Sequence, residues 1–468
     1  MSDRRRPGRR IAVFLVAASV VSACAQMRPD LSRVYRGSVK PKRAVILIPG
    51  VFGSRLRDVK TGRVVWGRAA SFFERLYRPF DPDADLLDLP ISAPDPLQNR
   101  DLLEPAGIFD KVAGHEYYIL VLNTLRDAGG YTLGDIRNPH AGEDLFAFDY
   151  DWRRDAAETA GLLARAVDRV LQARGEPGGR VDLVGHSLGG LIARYYVRHG
   201  GRDLLGGESF PPTFEGAAHV GTVVFLGTPN EGTLGALKSL VEGEHVARLL
   251  APEAIFTMPA AYELLPRSVP GLLLDGSGSP LPNDILDVDT WEKFGWSVFG
   301  PRSRLELRKK LSKKRSPAEA DRLVAERMEA SRKFAAWALL RARRFRSSLE
   351  GDEDHEPAVK YVAFGGDCLE TPARAVVLFD GKEHKTFFDP EDLPAELRTP
   401  ELRDLILEPG DGTVTRLSLL GLGPAGGTQR PPTLPLASSW FLCETHRMIT
   451  QNISFLDNLL HVLLQPQS

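Results

Sequence analysis

Cysteine is scarce in this chain: three among 468 residues, at positions 24, 368 and 443. No spacing among them resembles a zinc or iron–sulfur site, so no metal is expected. Net charge is almost absent as well, with 60 Lys and Arg against 61 Asp and Glu. That balance removes bulk electrostatic attraction to nucleic acid. There is no Walker-type phosphate loop and no Rossmann glycine fingerprint, so no nucleotide cofactor is indicated and none of another kind is expected. No internal repeat is evident. The apolar run Ile11–Val21 is shorter than the ~20 residues an ordinary helical membrane span requires.

That short run is informative in another way. It follows a basic segment (Arg4, Arg5, Arg6, Arg9, Arg10) and ends in Val21-Ser22-Ala23-Cys24. This is the layout of an export signal, and its end resembles a bacterial lipobox. Residues 1–23 then read as a signal peptide, Cys24 as a lipidation site and 24–42 as a polar, basic, lipidated tether. Diacylation of Cys24 would anchor an otherwise soluble domain to a membrane. Ala25 after the cysteine resembles the pattern sorted to the outer membrane, so the expected location is the bacterial cell envelope, lipid-anchored and facing the periplasm. An ordinary cleaved signal with Cys24 incidental is the plainer alternative, and Arg9-Arg10 leaves the Sec and Tat export routes both open. With Cys24 lipidated, Cys368 and Cys443 remain as an even pair in an oxidising compartment. They form either a disulfide or two separate buried thiols.

Beyond residue 42 apolar strand runs alternate with helix-period segments, which favours a mostly parallel sheet with helices on both faces. Candidate strands are 44–48, 145–149, 181–184, 222–226, 359–364 and a short one near 438–442. Candidate helices cover 116–128, 155–174 and 188–198. Residues 55–110 are rich in Pro and Asp and read as a loop-rich insertion. The chain exceeds the size at which one core usually stops growing. It divides into a catalytic domain, 43–233 and 358–468, and a cap or lid insertion, 234–357. Within that insertion 317–350 reads as one amphipathic helix, with Leu323, Val324, Met328, Phe334, Trp337, Leu340 and Phe345 on the apolar side. Its basic face fits either an interfacial element on an anionic lipid surface or a packed cap helix with a solvated cationic side.

The most informative stretch is Val181-Asp182-Leu183-Val184-Gly185-His186-Ser187-Leu188-Gly189-Gly190. A strand runs into G-x-S-x-G and straight into a helical pattern, the layout of a nucleophile elbow. Gly185 and Gly189 leave room for a turn so tight that Ser187 takes a strained conformation with its hydroxyl presented. A serine hydroxyl needs a base and an orienting acid. In this arrangement they follow in the order acid, then His. Asp411, in the turn Gly410-Asp411-Gly412-Thr413-Val414, is the candidate acid, with Asp367 after the strand 359–364 as runner-up. Only His446 and His461 lie beyond Asp411. His461 falls in a helical apolar pattern, whereas His446 falls in a loop and is the candidate general base. The candidate oxyanion-hole donors are the N–H groups of Leu188 and Val51, with Phe52 as the alternative to Val51.

Several segments together resemble the lecithin:cholesterol acyltransferase family of α/β-hydrolases. They are Ile48-Pro49-Gly50-Val51-Phe52-Gly53-Ser54, Phe148-Asp149-Tyr150-Asp151-Trp152-Arg153, the elbow, Leu226-Gly227-Thr228-Pro229-Asn230-Glu231-Gly232, Ala261-Tyr262-Glu263-Leu264-Leu265-Pro266, and the Asp411 turn. The resemblance implies the α/β-hydrolase fold and a Ser187–Asp411–His446 triad, with the amides of Val51 and Leu188 as the oxyanion hole, and it prefers Asp411 to Asp367. It implies a serine-dependent lipid esterase or acyltransferase whose partners are a lipid ester, phospholipid favoured, and a membrane. Trp66 either corresponds to a tryptophan near the family's lid or simply packs. No cysteine pair between residues 50 and 110 closes the lid loop that the animal enzymes have. Two other readings stand beside this one: a noncatalytic envelope lipoprotein that keeps a hydrolase fold, and a serine amidase or peptidase.

Overall fold

The computed structural model describes residues 42–67, 87–91, 103–109, 111–112, 115–116, 118–246, 248–267, 269–313, 315–350, 359–423 and 434–464. The expected signal peptide, Cys24 and all of the tether but residue 42 lie outside them. Seven strands form the central sheet: β1 (Ala44–Ile48), β2 (Leu133–Gly134), β3 (Leu145–Ala147), β4 (Val181–His186), β5 (Val220–Leu226), β6 (Lys360–Gly366) and β7 (Leu436–Leu442). Their order is β7-β6-β5-β4-β1-β3-β2, and every pairing is parallel. Every residue of β1, β4 and β5 is buried. A strand buried at successive positions is covered on both faces, which is why these segments are largely apolar rather than alternating, with Asp182 and His186 of β4 and Thr222 of β5 as buried polar exceptions.

Among the described residues, seven longer helices accompany the sheet. They are α1 (Ile119–Asp127), α2 (Ala156–Ala173), α3 (Leu188–His199), α4 (Leu234–Glu242), α5 (Pro301–Ser312), α6 (Pro317–Ser348) and α7 (Ile453–Leu464). Of these, α1, α2, α3 and α6 fall where the sequence places helices. Asp155 caps α2 by accepting from the Glu158 N–H at 3.0 Å, which satisfies one of the orphan donors of a helix start. All twelve residues of α3 are buried, cations included.

Two expectations need correction. Residues 55–110 are not simply loop: Ser54–Asp58 pairs antiparallel with both Val64–Trp66 and Leu103–Ile108. The apolar side assigned to α6 is also too generous. Leu340 is 46% exposed, whereas Ala335, Ala338, Leu339 and Ala342 are buried with Phe334 and Phe345. Small residues let this part of the helix lie close against its neighbours.

The C-terminal half of α6 is fastened to the hydrolase core. Arg341 forms a buried ion pair with Asp155, the α2 cap. Arg194 of α3 donates to the Leu349 carbonyl at 2.8 Å, and the rings of Tyr195 and Phe345 stack 5.7 Å apart. This half is packed against the hydrolase core rather than free in solvent. Nothing on α5 is buried, and Arg308 pairs it with Asp321 on the exposed start of α6. Among the described residues no helix is long and apolar enough to cross a membrane.

Candidate active site

A central strand delivers the nucleophile candidate. β4 lies between β1 and β5, and its end turns at Ser187 into α3. Ser187 has φ 53° and ψ −121°, a left-handed backbone that costs a non-glycine residue ~1–3 kcal/mol and persists only where its surroundings enforce it. Here they do. A methyl group added to Gly185 would lie 2.5 Å from the Gly190 amide nitrogen, and one on Gly189 would lie 2.3 Å from the Ile48 carbonyl oxygen. The Ser187 N–H donates to the Leu226 carbonyl at the end of β5. The Ser187 side chain does not cap α3, so the N-terminus of that buried helix faces the site with its partial positive charge.

The acid and the base arrive from the other end of the sheet. Asp411 follows the strand Leu407–Gly410, and His446 lies in the loop after β7. His446 Nδ1 lies 2.8 Å from Asp411 Oδ2. The other carboxylate oxygen accepts from the Val414 N–H at 2.7 Å and the Thr413 N–H at 3.0 Å. A second bond joins the two loops, from the His446 N–H to the Asp411 carbonyl at 2.9 Å. Asp411 is therefore an acceptor fixed on both oxygens, and Nδ1 of His446 must carry the hydrogen. That leaves Nε2 as the basic nitrogen.

Gly227 measures how near these groups come to the elbow. It directly follows Leu226, which accepts the Ser187 N–H. A methyl group built on Gly227 would sit 3.0 Å from the His446 ring and 3.3 Å from Asp411 Oδ2. Asp411 and His446 thus lie beside Gly227 at the carboxyl end of β5, next to the end of β4 that carries Ser187. Asp367 sits just past β6 and is half-buried, but the imidazole pairs with Asp411. His461 is exposed on α7. Cys368 and Cys443 are disulfide-bonded, with Cα atoms 5.2 Å apart.

Val51 and Phe52 form a turn closed by the Gly53 N–H on the Gly50 carbonyl at 3.0 Å, and Phe52 is left-handed with φ 66°. A methyl group on Gly50 would lie 2.8 Å from Ser187 Cβ, so this loop borders the serine. Aromatic donors hold its carbonyls. Tyr150 Oη donates to Pro49 at 2.8 Å, Trp66 Nε1 to Phe52 at 3.0 Å and Trp152 Nε1 to Ser54 at 3.1 Å. The Phe52 ring packs on both indoles, with centroids 5.4 and 4.7 Å away. Trp66 is buried in this cluster. Tyr150 and Trp152 belong to a motif quoted for the family likeness, but their support of the loop was not foreseen. Also unforeseen are His186 and Tyr118, whose hydroxyl lies 2.7 Å from His186 Nδ1. The one visible signal was a histidine inside the elbow itself.

A parallel sheet covered on both faces, with a strained serine between strand and helix and an Asp–His pair converging on it, defines an α/β-hydrolase. Within that class the chain is similar to the lecithin:cholesterol acyltransferase family, whose model matches residues 111–272, about a third of the chain. The matched stretch holds the elbow but neither Asp411 nor His446, which rest on the geometry above. No curated protein matches the sequence. Among solved structures, the crystal structure of the Tle4–Tli4 complex contains a chain 14% identical with a TM-score of 0.52, covering 90% of this chain and 97% of that one. The mature form of Bacillus licheniformis lipase BlEst2 is 13% identical with a TM-score of 0.35, covering 91% and 94% of the two chains. At these identities the first supports the fold alone, and the second carries no argument.

Proposed function

We propose that the protein is a serine-dependent lipid esterase or acyltransferase that works through an acyl-enzyme on Ser187. The observation that carries the reading is the Asp411–His446 hydrogen bond at the elbow, which leaves the imidazole Nε2 as the free base. His446 takes the Ser187 hydroxyl proton as Oγ attacks an ester carbonyl. The N–H groups of Leu188 and Val51 receive the developing oxyanion, and α3 adds its dipole. His446 then gives the proton to the leaving alkoxide, which departs as an alcohol. Water or a second alcohol, deprotonated by the same imidazole, takes the acyl group and frees the serine.

Long-chain esters, phospholipid above all, are the proposed substrates, supported by the likeness to the acyltransferase family over the elbow-bearing stretch. The proposed setting is the bacterial envelope, with a lipid on Cys24 holding the domain at the membrane and the basic face of α5 and the start of α6 toward anionic headgroups. Purified protein incubated with labelled phosphatidylcholine, with and without an alcohol acceptor, tests the chemistry. Free fatty acid alone means hydrolysis, a new ester means transfer, and neither product discards the substrate class. Cys24→Ser should move the protein from the membrane fraction to the soluble fraction, and its retention in the membrane fraction would sink the anchor.

A further inference from the structure

We propose that Tyr118 and His186 form a buried strut that holds the Val51 loop and the His446 loop at fixed positions beside Ser187. The inference rests on the reading above and deepens it by naming two positioning residues of the same site. The Gly50 N–H lies 2.9 Å from Tyr118 Oη, Tyr118 Oη lies 2.7 Å from His186 Nδ1, and His186 Nε2 lies 3.2 Å from the His446 carbonyl oxygen. Both ends of this series have fixed polarity. A backbone carbonyl only accepts, so His186 Nε2 must carry the hydrogen. In the neutral ring Nδ1 is then a lone pair, and Tyr118 donates to it. A backbone N–H only donates, and Tyr118 Oη accepts it. One arrangement of protons satisfies every group.

The strut is shielded from water: Tyr118 is 3% exposed and His186 7%. Its bonds therefore meet little competition, and breaking one strands a buried partner. Both nitrogens of His186 are occupied within the protein, which makes it a positioning residue and leaves the proton transfer to His446. Burial, followed by the neighbouring His446, brings the His186 imidazole down to about 3. Its neutrality matters because its ring lies only 5.0 Å from that of His446. A second cation at that distance would oppose the imidazolium that His446 becomes when it takes the serine proton. Misplacement of either loop by an ångström is enough to cost ~100-fold in rate.

The test uses the purified chain and Tyr118→Phe, His186→Leu and His186→Gln. Turnover of p-nitrophenyl butyrate is measured per site titrated with a fluorophosphonate, so misfolded protein is not counted. Tyr118→Phe and His186→Leu should lower kcat by roughly 10–100-fold while KM stays within about twofold. His186→Gln, which keeps a donor for the His446 carbonyl, should recover part of that loss. In ¹⁵N imidazole spectra His186 should remain neutral, with hydrogen on Nε2, down to about pH 4. Unchanged kcat in Tyr118→Phe overturns the strut, and so does an Nδ1–H tautomer or protonation of His186 near pH 6. If the wild type hydrolyses no ester, the esterase reading falls instead, and the imidazole spectra still decide the strut.

Discussion

At the residue scale the site is built by backbone rather than by long side chains. Ser187 is held by its strained φ and its N–H bond to Leu226, and Asp411 by two amides on one oxygen. Ser187→Ala should abolish ester turnover by several orders of magnitude with melting temperature nearly unchanged, since triad members act as a unit. Asp411→Asn should cost ~10⁴-fold in kcat by admitting the wrong imidazole tautomer. Asp367→Asn should leave turnover close to wild type, because the imidazole pairs with the other carboxylate; the two results exchanged would reassign the acid. His186 adds a pH signature. Burial holds its imidazole down at about 3, below the ordinary 6.5, so between those limits the unfolded chain binds a proton that the native state does not. Stability must then rise with pH across that window and be lost on acidification. Urea midpoints from pH 3 to 7 should climb less steeply in His186→Gln than in the wild type; parallel curves would mean that His186 is not held neutral.

At the element scale the joint between α2, α3 and the end of α6 holds that long helix to the hydrolase core. Asp155 caps α2 while paired with Arg341, and Glu263 Oε2 accepts the Ala156 N–H at 2.7 Å. Glu263 Oε1 is buried with no donor facing it. Burial, and after it the adjacent Asp155, push the Glu263 carboxyl well up, which favours its protonated form. Here the native state binds a proton that the unfolded chain releases above 4.5, and stability must fall as pH rises from there. Glu263→Gln keeps the shape and a donor, so it should flatten that decline in thermal melts between pH 5 and 9; an undiminished slope would place the charge elsewhere. None of this joint was legible in the sequence, because a buried glutamate inside Ala261–Pro266 looks like any other until Asp155 and Arg341 arrive from distant segments. The strands were legible for the opposite reason. β1, β4 and β5 are covered on both faces and so are largely apolar, whereas β2 has only two residues and offers no pattern. β7 begins earlier than its apolar residues suggest, since its half-exposed Leu436–Ser439 portion lacks a buried face. On α6 the large side chains drew attention and the alanines carried the contact.

At the scale of the whole molecule, the Cys368–Cys443 disulfide joins two distant parts of the chain at the site. Cys368 follows β6 and opens the strand Leu369–Pro372, which pairs antiparallel with Leu407–Gly410 just before Asp411. Cys443 lies three residues before His446 and just past the end of β7. The bond therefore ties the base-bearing loop to the segment that presents the acid, across a sequence separation of 75. Closing a loop of that size restricts the unfolded chain by about 4 kcal/mol in the chain-entropy account. The folded site has its own link between the same loops, the His446 N–H bond to the Asp411 carbonyl. Losing the disulfide should thus cost stability first and catalysis second. Cys443→Ser should melt several degrees lower, yet retain most ester turnover well below its melting temperature and lose it more steeply on warming. Thiol titration of the denatured, unreduced wild type supplies the control. No reactive thiol from Cys368 or Cys443 is expected, and two would remove the bond on which this prediction stands. A variant that keeps its melting temperature but loses turnover at every temperature would instead mean that the disulfide, rather than the backbone bond, sets the position of His446.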